Sequence, residues 1–324
     1  MKLTLLSAAL LAGSAAAVPT RTSDNAAPLA KRAGLDDAAT GFASENGGTT
    51  GGSGGTTVTV ASFAEFTAAV AGTEKKVVVV SGPITEAAPQ VKVGSNTSIV
   101  GKDSTAVFTG FGLMVKEESN VIIRNIGISK VIADNGDAIA VQKATNVWID
   151  HVDLSSDLDS GKDFYDGLID FTHAADFVTV SNSYIHDHFK ASLIGHSDSN
   201  GDEDTGFLHV TENNNHWANV NSRMPSIRFG TGHIYNSYFS ECGDGINTRQ
   251  GAEVLVESNV YAGIKKPLYS TDAGFAVEND NDFGEGENTA LAGTLTSVPY
   301  EYELLGSGAV QAAIEGKVGN NLSF

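Results

Sequence analysis

Stretches of alternating apolar and polar residues recur through the middle of the chain: "NVIIRNIGI" from Asn120, "NVWIDHVDL" from Asn146, "FVTVSNSYI" from Phe177, "FLHVTENNN" from Phe207, "GHIYNSYF" from Gly232 and "EVLVESNVY" from Glu253. Their first aligned positions are Val121, Val147, Val178, Leu208, His233 and Val254, with successive gaps of 26, 31, 30, 25 and 21. Alternation marks strands with one buried face, and a repeat of this length marks a stacked architecture. No helical run long enough for a βαβ crossover separates the strands. The pattern predicts an all-β right-handed parallel β-helix in which each repeat makes one turn of several short strands. Equivalent strands of successive turns pair in parallel, and their inward apolar residues form one continuous core. Most of the segments then carry Asn or His, and inward Asn side chains are expected to bond to one another along the stack. A β-sandwich would instead show strands about every 8 to 12 residues with no longer repeat.

Before the repeats lie two shorter strand-like stretches, "KKVVVVSG" from Lys75 to Gly82 and "NTSIVG" from Asn96 to Gly101. Ahead of these, "SFAEFTAAV" (Ser62 to Val70) has Ser62 and Glu65 in capping-box spacing and Phe63, Phe66 and Val70 at helical spacing. It predicts a short N-terminal helix that caps the coil. The glycine-rich run Gly47 to Thr57 reads equally as a linker or as an ordered loop. The run after Gly284 is expected to pack outside the coil, with the chain end capping it.

Residues 1–17 read as a signal peptide, with Lys2 followed by an apolar stretch ending in small residues. Residues 18–32 read as a propeptide cut after the pair Lys31-Arg32, although a dibasic pair also occurs by chance in flexible tails. Residues 33–324 then form a single domain. The chain is expected to be secreted, and no later segment reaches the 18 apolar residues of a membrane span. Two sequons, at Asn96 and Asn321, are candidate glycosylation sites.

At 41 % hydrophobic and 18 % charged residues the chain is globular rather than disordered. Cys242 is the only cysteine, so no intrachain disulfide can form and packing must hold the fold. The formal charge is −19, and no basic run appears, which excludes nucleic acid as a partner. An acidic polymer would also be repelled unless bound metal or a local cationic patch reversed the sign.

Four places carry candidate chemistry. Asp137 precedes a strand; Asp166 and Asp170 stand in "YDGLIDF"; Lys190 follows "HDHF"; Arg223 and Arg228 bound "RMPSIR". The spacings 137 to 166, 170 to 190 and 190 to 223 are 29, 20 and 33, close to the repeat. One outer face can therefore collect residues from adjacent turns. Three carboxylates without a Cys or His set suit a hard cation, calcium before zinc; they read equally as ordinary turn residues. Asp166 and Asp170 would lie about 13 Å apart if extended, so a bend is needed, which Gly167 can supply. Arg228 points outward if Ile227 and Phe229 point inward. His186 and His188 form an H-x-H pair on one strand face, but with no third ligand they read as structural.

At "NVWIDH", "YDGLID", "HFKASLIGHSDS" and "RMPSIRFGTGHIYN" the sequence resembles the pectate lyases of polysaccharide lyase family 1, over about Gly41 to Val260. "NGGTTGG" from Asn46 resembles the mature start of fungal members. The resemblance implies a right-handed parallel β-helix that binds Ca²⁺ and cleaves α-1,4-linked polygalacturonate (pectate) by β-elimination. It implies Asp137, Asp166 and Asp170 as calcium ligands, Arg223 as the base, and Lys190 and Arg228 as binders of substrate carboxylates. Asn135 stands where some members place a further acidic ligand, so a second ion there would be weaker or await substrate oxygens. Asp150 and His151 of "WIDH" read as structural. The base must lose a proton that a guanidinium resists, and neighbouring cations ease that loss. Activity is therefore expected to rise into alkaline pH. A monomer is expected. Rival readings are a calcium-free pectin lyase on methyl-esterified polymer, a polygalacturonase using paired carboxylates, and a calcium-dependent polysaccharide-binding coil.

Overall fold

The computed structural model describes residues 37–324; the signal peptide and propeptide expected at residues 1–17 and 18–32 lie outside them. The chain winds into a parallel β-helix of about eleven turns, each turn giving at most one strand to each of three parallel sheets of 11, 9 and 8 strands. On the 11-stranded sheet the inward column runs Val121, Val147, Val178, Val210, Gly232, Val254. Two of the six aligned positions are therefore corrected. Leu208 gives way to Val210, because Leu208 sits at a left-handed corner with φ 58°. His233 gives way to Gly232, because a glycine takes the inward place and hides the alternation. The neighbouring column is Ile123, Ile149, Val180, Glu212, Ile234, Val256. It is apolar except for one carboxylate.

The Asn and His that follow many strands have two uses. Asn125, His151, Asn182, Asn214 and Asn236 turn the corner with φ between 51° and 57°, a backbone state that Asn tolerates better than most residues. Beside some of these corners an inward Asn bonds along the stack: Asn215 Oδ1 accepts from the Ser183 amide, and Asn259 Nδ2 donates to Asn281 Oδ1 at 3.0 Å. The expected ladder is present, interrupted by serines.

The N-terminal helix forms at Phe63–Val70. Ser62 Oγ accepts from the Glu65 amide, and Phe66 and Val70 are fully buried against the first turns. The glycine-rich run is an ordered loop lying flat on the 11-stranded sheet. Its amides at Thr50 and Gly51 donate to Asn120 Oδ1 and that of Gly52 to Ser98 Oγ. A β-carbon at Gly52 would stand 1.8 Å from the Lys76 carbonyl oxygen, so only glycine permits the approach.

The run after Gly284 does not lie wholly outside the coil as expected: Asn288–Thr289 and Leu291–Ala292 are the last strands of the 9- and 11-stranded sheets, and only the residues beyond them pack outside, without capping an end. These run back along the coil as a strap. The Leu295 amide donates to Glu253, Tyr300 meets Thr211 and His233, and Leu305 bonds Asn236. The helix Ser307–Ile314 covers Tyr238. Beyond it, Gly319 bonds Asn182, Leu322 bonds Asn125 and Phe324 bonds Lys102. Among the described residues, no helix is long and apolar enough to cross a membrane.

Candidate active site

The predicted residues come from four consecutive turns along one side of the 9-stranded sheet. Asp137 precedes the strand Ile139–Gln142, and Asp166 precedes Ile169–Thr172, which carries Asp170. Lys190 ends Tyr184–Lys190 on the next turn. One turn further, Arg223 follows His216–Ser222 and Arg228 ends Ser226–Arg228. Pairing fixes the rows: Asp170 lies beside Ala140 and Leu193, and Lys190 beside Ser222. At about 4.8 Å per turn the strip spans roughly 14 Å.

Asp137 and Asp170 face each other across Gly167. Asp137 Oδ1 accepts from the Gly167 amide at 2.8 Å, and Asp170 Oδ1 from the Leu193 amide at 2.9 Å. A β-carbon at Gly167 would lie 2.6 Å from Asp170 Oδ1 and 2.8 Å from Asp137 Oδ1. The glycine is needed there for room; its backbone is not left-handed, so the bend expected of it is not a positive-φ turn. Burial first, then the charge of Asp166, pushes the Asp137 carboxyl above its ordinary range. Burial and then Asp137 raise Asp170 further. Two half-buried, converging carboxylates in mutual repulsion fit a hard divalent cation, which would relieve both. Asp166 is half-exposed, with its carboxylate 3.8 Å from Lys190 Nζ. Among the described residues, no three such side chains close into a finished metal cage; the pair leaves one side open. Asn135 turns away and donates to the Gly110 carbonyl.

The cations differ in what they hold. Lys190 Nζ pairs with Asp163 at 2.9 Å. Arg228 Nε donates to Asp198 at 2.5 Å and its Nη1 to the Gly195 carbonyl at 3.0 Å. Arg249, beside Arg228 on the next turn, shares Asp198. Among the described residues, no carboxylate pairs with the Arg223 guanidinium. Arg223 sits at φ 66°, a left-handed position that costs a non-glycine residue about 1 kcal/mol or more. Ile227 is fully buried and Arg228 faces out, as the alternation predicts, while Phe229 leaves the strand at φ 59°.

Asp163, Asp198 and Arg249 were not predicted. The two aspartates lie in loops, where strand periodicity gives no signal. The H-x-H pair does not share a face: Asp187 at φ 51° turns the strand between them. His186 stacks on Tyr184 at the surface, whereas His188 is 1 % exposed. Asp150 is structural, as expected. Its burial raises its pKa, but hydrogen bonding and charge from His151, with Arg124, hold it below the ordinary range. Of the sequon residues, Asn96 donates to the Thr73 carbonyl and accepts from Asn120, and Asn321 donates to the Lys317 carbonyl.

Residues 3–305 match the family described as pectate lyase. The chain is 67 % identical over 314 residues to a probable pectate lyase A of Neosartorya fischeri, covering 97 % of each. It is 64 % identical over 317 residues to a pectate lyase A of Aspergillus niger, covering 98 % of this chain and 97 % of that one. Among solved structures, it resembles a pectate lyase from Bacillus sp. N165 in complex with trigalacturonate. The TM-score is 0.78 and the identity 29 %, over 86 % of this chain and 98 % of the other.

Proposed function

The chain belongs to the pectate lyase family, and on that premise we propose that it is a secreted, calcium-dependent monomer that cleaves α-1,4-linked polygalacturonate by β-elimination, leaving 4,5-unsaturated ends. The observation that carries the reading is the Arg223 guanidinium, which no carboxylate pairs with among the described residues, on the same side of the coil as the Asp137–Asp170 pair, with Lys190 on the turn between and Arg228 on its own turn. The reaction removes the C5 proton next to a uronate carboxylate and expels the C4 oxygen. Arg223, which pairs with no carboxylate among the described residues, takes the C5 proton as base in its neutral guanidine form, having first given up its own proton to solvent. Lys190 and Arg228 bind and orient uronate carboxylates. Asp137, Asp170 and the open-sided Asp166 would hold calcium, which when bound supplies positive charge to the uronate group that gains charge as the proton leaves. Secretion rests on residues 1–17 and 18–32 reading as a leader and a propeptide.

Purified mature protein mixed with polygalacturonate and Ca²⁺ should give rising ultraviolet absorbance from the new double bond, and excess chelator should abolish it. A rise indifferent to chelator would overturn the calcium role, and reducing ends without absorbance would overturn elimination.

Lys190 carries its own competitor. Asp163 is an exposed carboxylate held by the same ammonium that is assigned to substrate, and such surface pairs are weak. Asp163→Asn should lower KM for polygalacturonate by about two- to five-fold with kcat unchanged. Steady-state kinetics decide this; a raised KM would mean that Asp163 helps to place substrate.

A further inference from the structure

One peptide unit in the site is held at both ends. The N–H of the Asp166–Gly167 peptide donates to Asp137 Oδ1 at 2.8 Å. Its carbonyl, the Asp166 oxygen, lies 2.5 Å from His188 Nε2. A carbonyl can only accept, so Nε2 carries the hydrogen and Nδ1 presents a lone pair. Ser156 Oγ lies 2.6 Å from Nδ1, closer than its 3.1 and 3.3 Å contacts with the Asp187 and Asp157 carbonyls, and so gives its one hydrogen to the ring. Both side chains are buried, at 1 % exposure for His188 and 7 % for Ser156. The result is one continuous relay from the Ser156 hydroxyl, through the imidazole and the peptide, to the carboxylate of Asp137.

We infer that His188, keyed by Ser156, is a positioning residue: it fixes the plane of the Asp166–Gly167 peptide, and so aims the Gly167 amide at Asp137 and sets where the Asp166 carboxylate stands. This rests on the reading of Asp137 and Asp166 as calcium ligands. If the peptide turned, Asp137 would lose its backbone donor and swing from its place opposite Asp170, and Asp166 would move with its own carbonyl. A second structural tie acts on the same arm, since Tyr165 Oη donates to Asp157 at 2.8 Å. That tie fixes the loop but not the orientation of the next peptide. The last residues before the site are thus held by hydrogen bonds that touch neither substrate nor ion. Partners of this kind commonly change metal affinity by about 10- to 100-fold when removed.

The test is calorimetric Ca²⁺ binding to the full mature chain, with thermal unfolding in chelator as the control for folding. His188→Phe keeps a ring and loses the donor; affinity should fall about 10- to 100-fold, while kcat recovers to within a few-fold at saturating Ca²⁺. His188→Gln keeps an N–H able to reach the Asp166 carbonyl and should bind within about three-fold of the native chain. Ser156→Ala, the mildest change, should weaken binding several-fold with little change in melting; it decides the matter if the phenylalanine variant does not fold. Native-like Ca²⁺ affinity in His188→Phe or Ser156→Ala would overturn the inference, as would losses in the phenylalanine and glutamine variants that merely track their melting temperatures. A native chain that binds no Ca²⁺ at all would instead overturn the calcium reading beneath it.

Discussion

Arg223→Lys should cut kcat by about 10²- to 10⁴-fold, the range that a positioned base contributes, while leaving KM, Ca²⁺ affinity and melting temperature near native. Each part of that expectation has its own source. The guanidinium of Arg223 pairs with no carboxylate among the described residues, so shortening it orphans no buried charge. Surface changes of that kind stay within about 0.5 kcal/mol in stability. Lysine keeps the positive charge and should keep any long-range attraction for a polyanion. It does not keep the planar, forked shape or the reach of arginine. A base fails completely when its nitrogen is displaced, whereas a binding cation fails by degrees. Arg228→Lys is the contrast. Its native guanidinium is locked onto Asp198 and the Gly195 carbonyl, so its loss should appear in KM and in stability. Rapid kinetics and calorimetry on the two variants separate the roles. A large KM change with kcat intact in Arg223→Lys would make Arg223 another binding cation and leave the reaction without its base.

The second large effect concerns Glu212, deep in the coil. It occupies an inward place between Val180 and Ile234 and is fully buried. Neither carboxylate oxygen has a hydrogen-bond partner of good geometry, and neither does the nearby Ser192 hydroxyl. Burial pushes its pKa from 4.5 up to about 8, with the Ser192 hydroxyl pulling back only partly. Folded chains therefore keep the proton, and unfolded chains release it above about pH 4.5. The native advantage is complete below pH 4.5 and is lost as pH rises to about 8, at about 1.4 kcal/mol per unit. Stability should fall by roughly 5 kcal/mol across that window through this group. Glu212→Gln removes the proton exchange and nearly preserves shape. Its stability relative to the native chain should therefore climb between pH 5 and pH 9 by a similar amount. Denaturant midpoints at the two pH values measure this, and parallel pH curves for the two chains would show that Glu212 is not the source.

Those two residues mark how far the sequence could be read. Alternation and a repeat of 20 to 30 residues sufficed for a parallel coil, because inward side chains must alternate in any strand with one dry face. Val121, Val147, Val178 and Val254 were placed correctly on that ground alone. The register slipped where the column held Gly232, because glycine breaks the apolar signal. Glu212 follows Val210 at the inward spacing, but its polarity argues for the outside; only the neighbouring turns show that it is enclosed. The candidate residues were legible as a set, because their spacing follows the turn length and their motifs resemble a family. Their partners were not legible. Asp163 and Asp198 arrive from loops, and His188 is turned inward by a left-handed Asp187 that no period reveals.

The C-terminal strap changes what kind of object the coil is. In a stack where each turn touches only its neighbours, stability is nearly a sum of local terms, and the ends can fray independently of the middle. Here the last thirty or so residues travel back from Glu253 to Lys102 and are bonded to turns far apart along the stack. A turn that peels away must also release the strap, and a released strap loosens distant turns. The four turns that supply Asp137, Asp170, Lys190 and Arg223 lie within the stretch it spans. The strap thus ties distant turns together, so the strip that carries Asp137, Asp170, Lys190 and Arg223 is expected to loosen as one body rather than ring by ring.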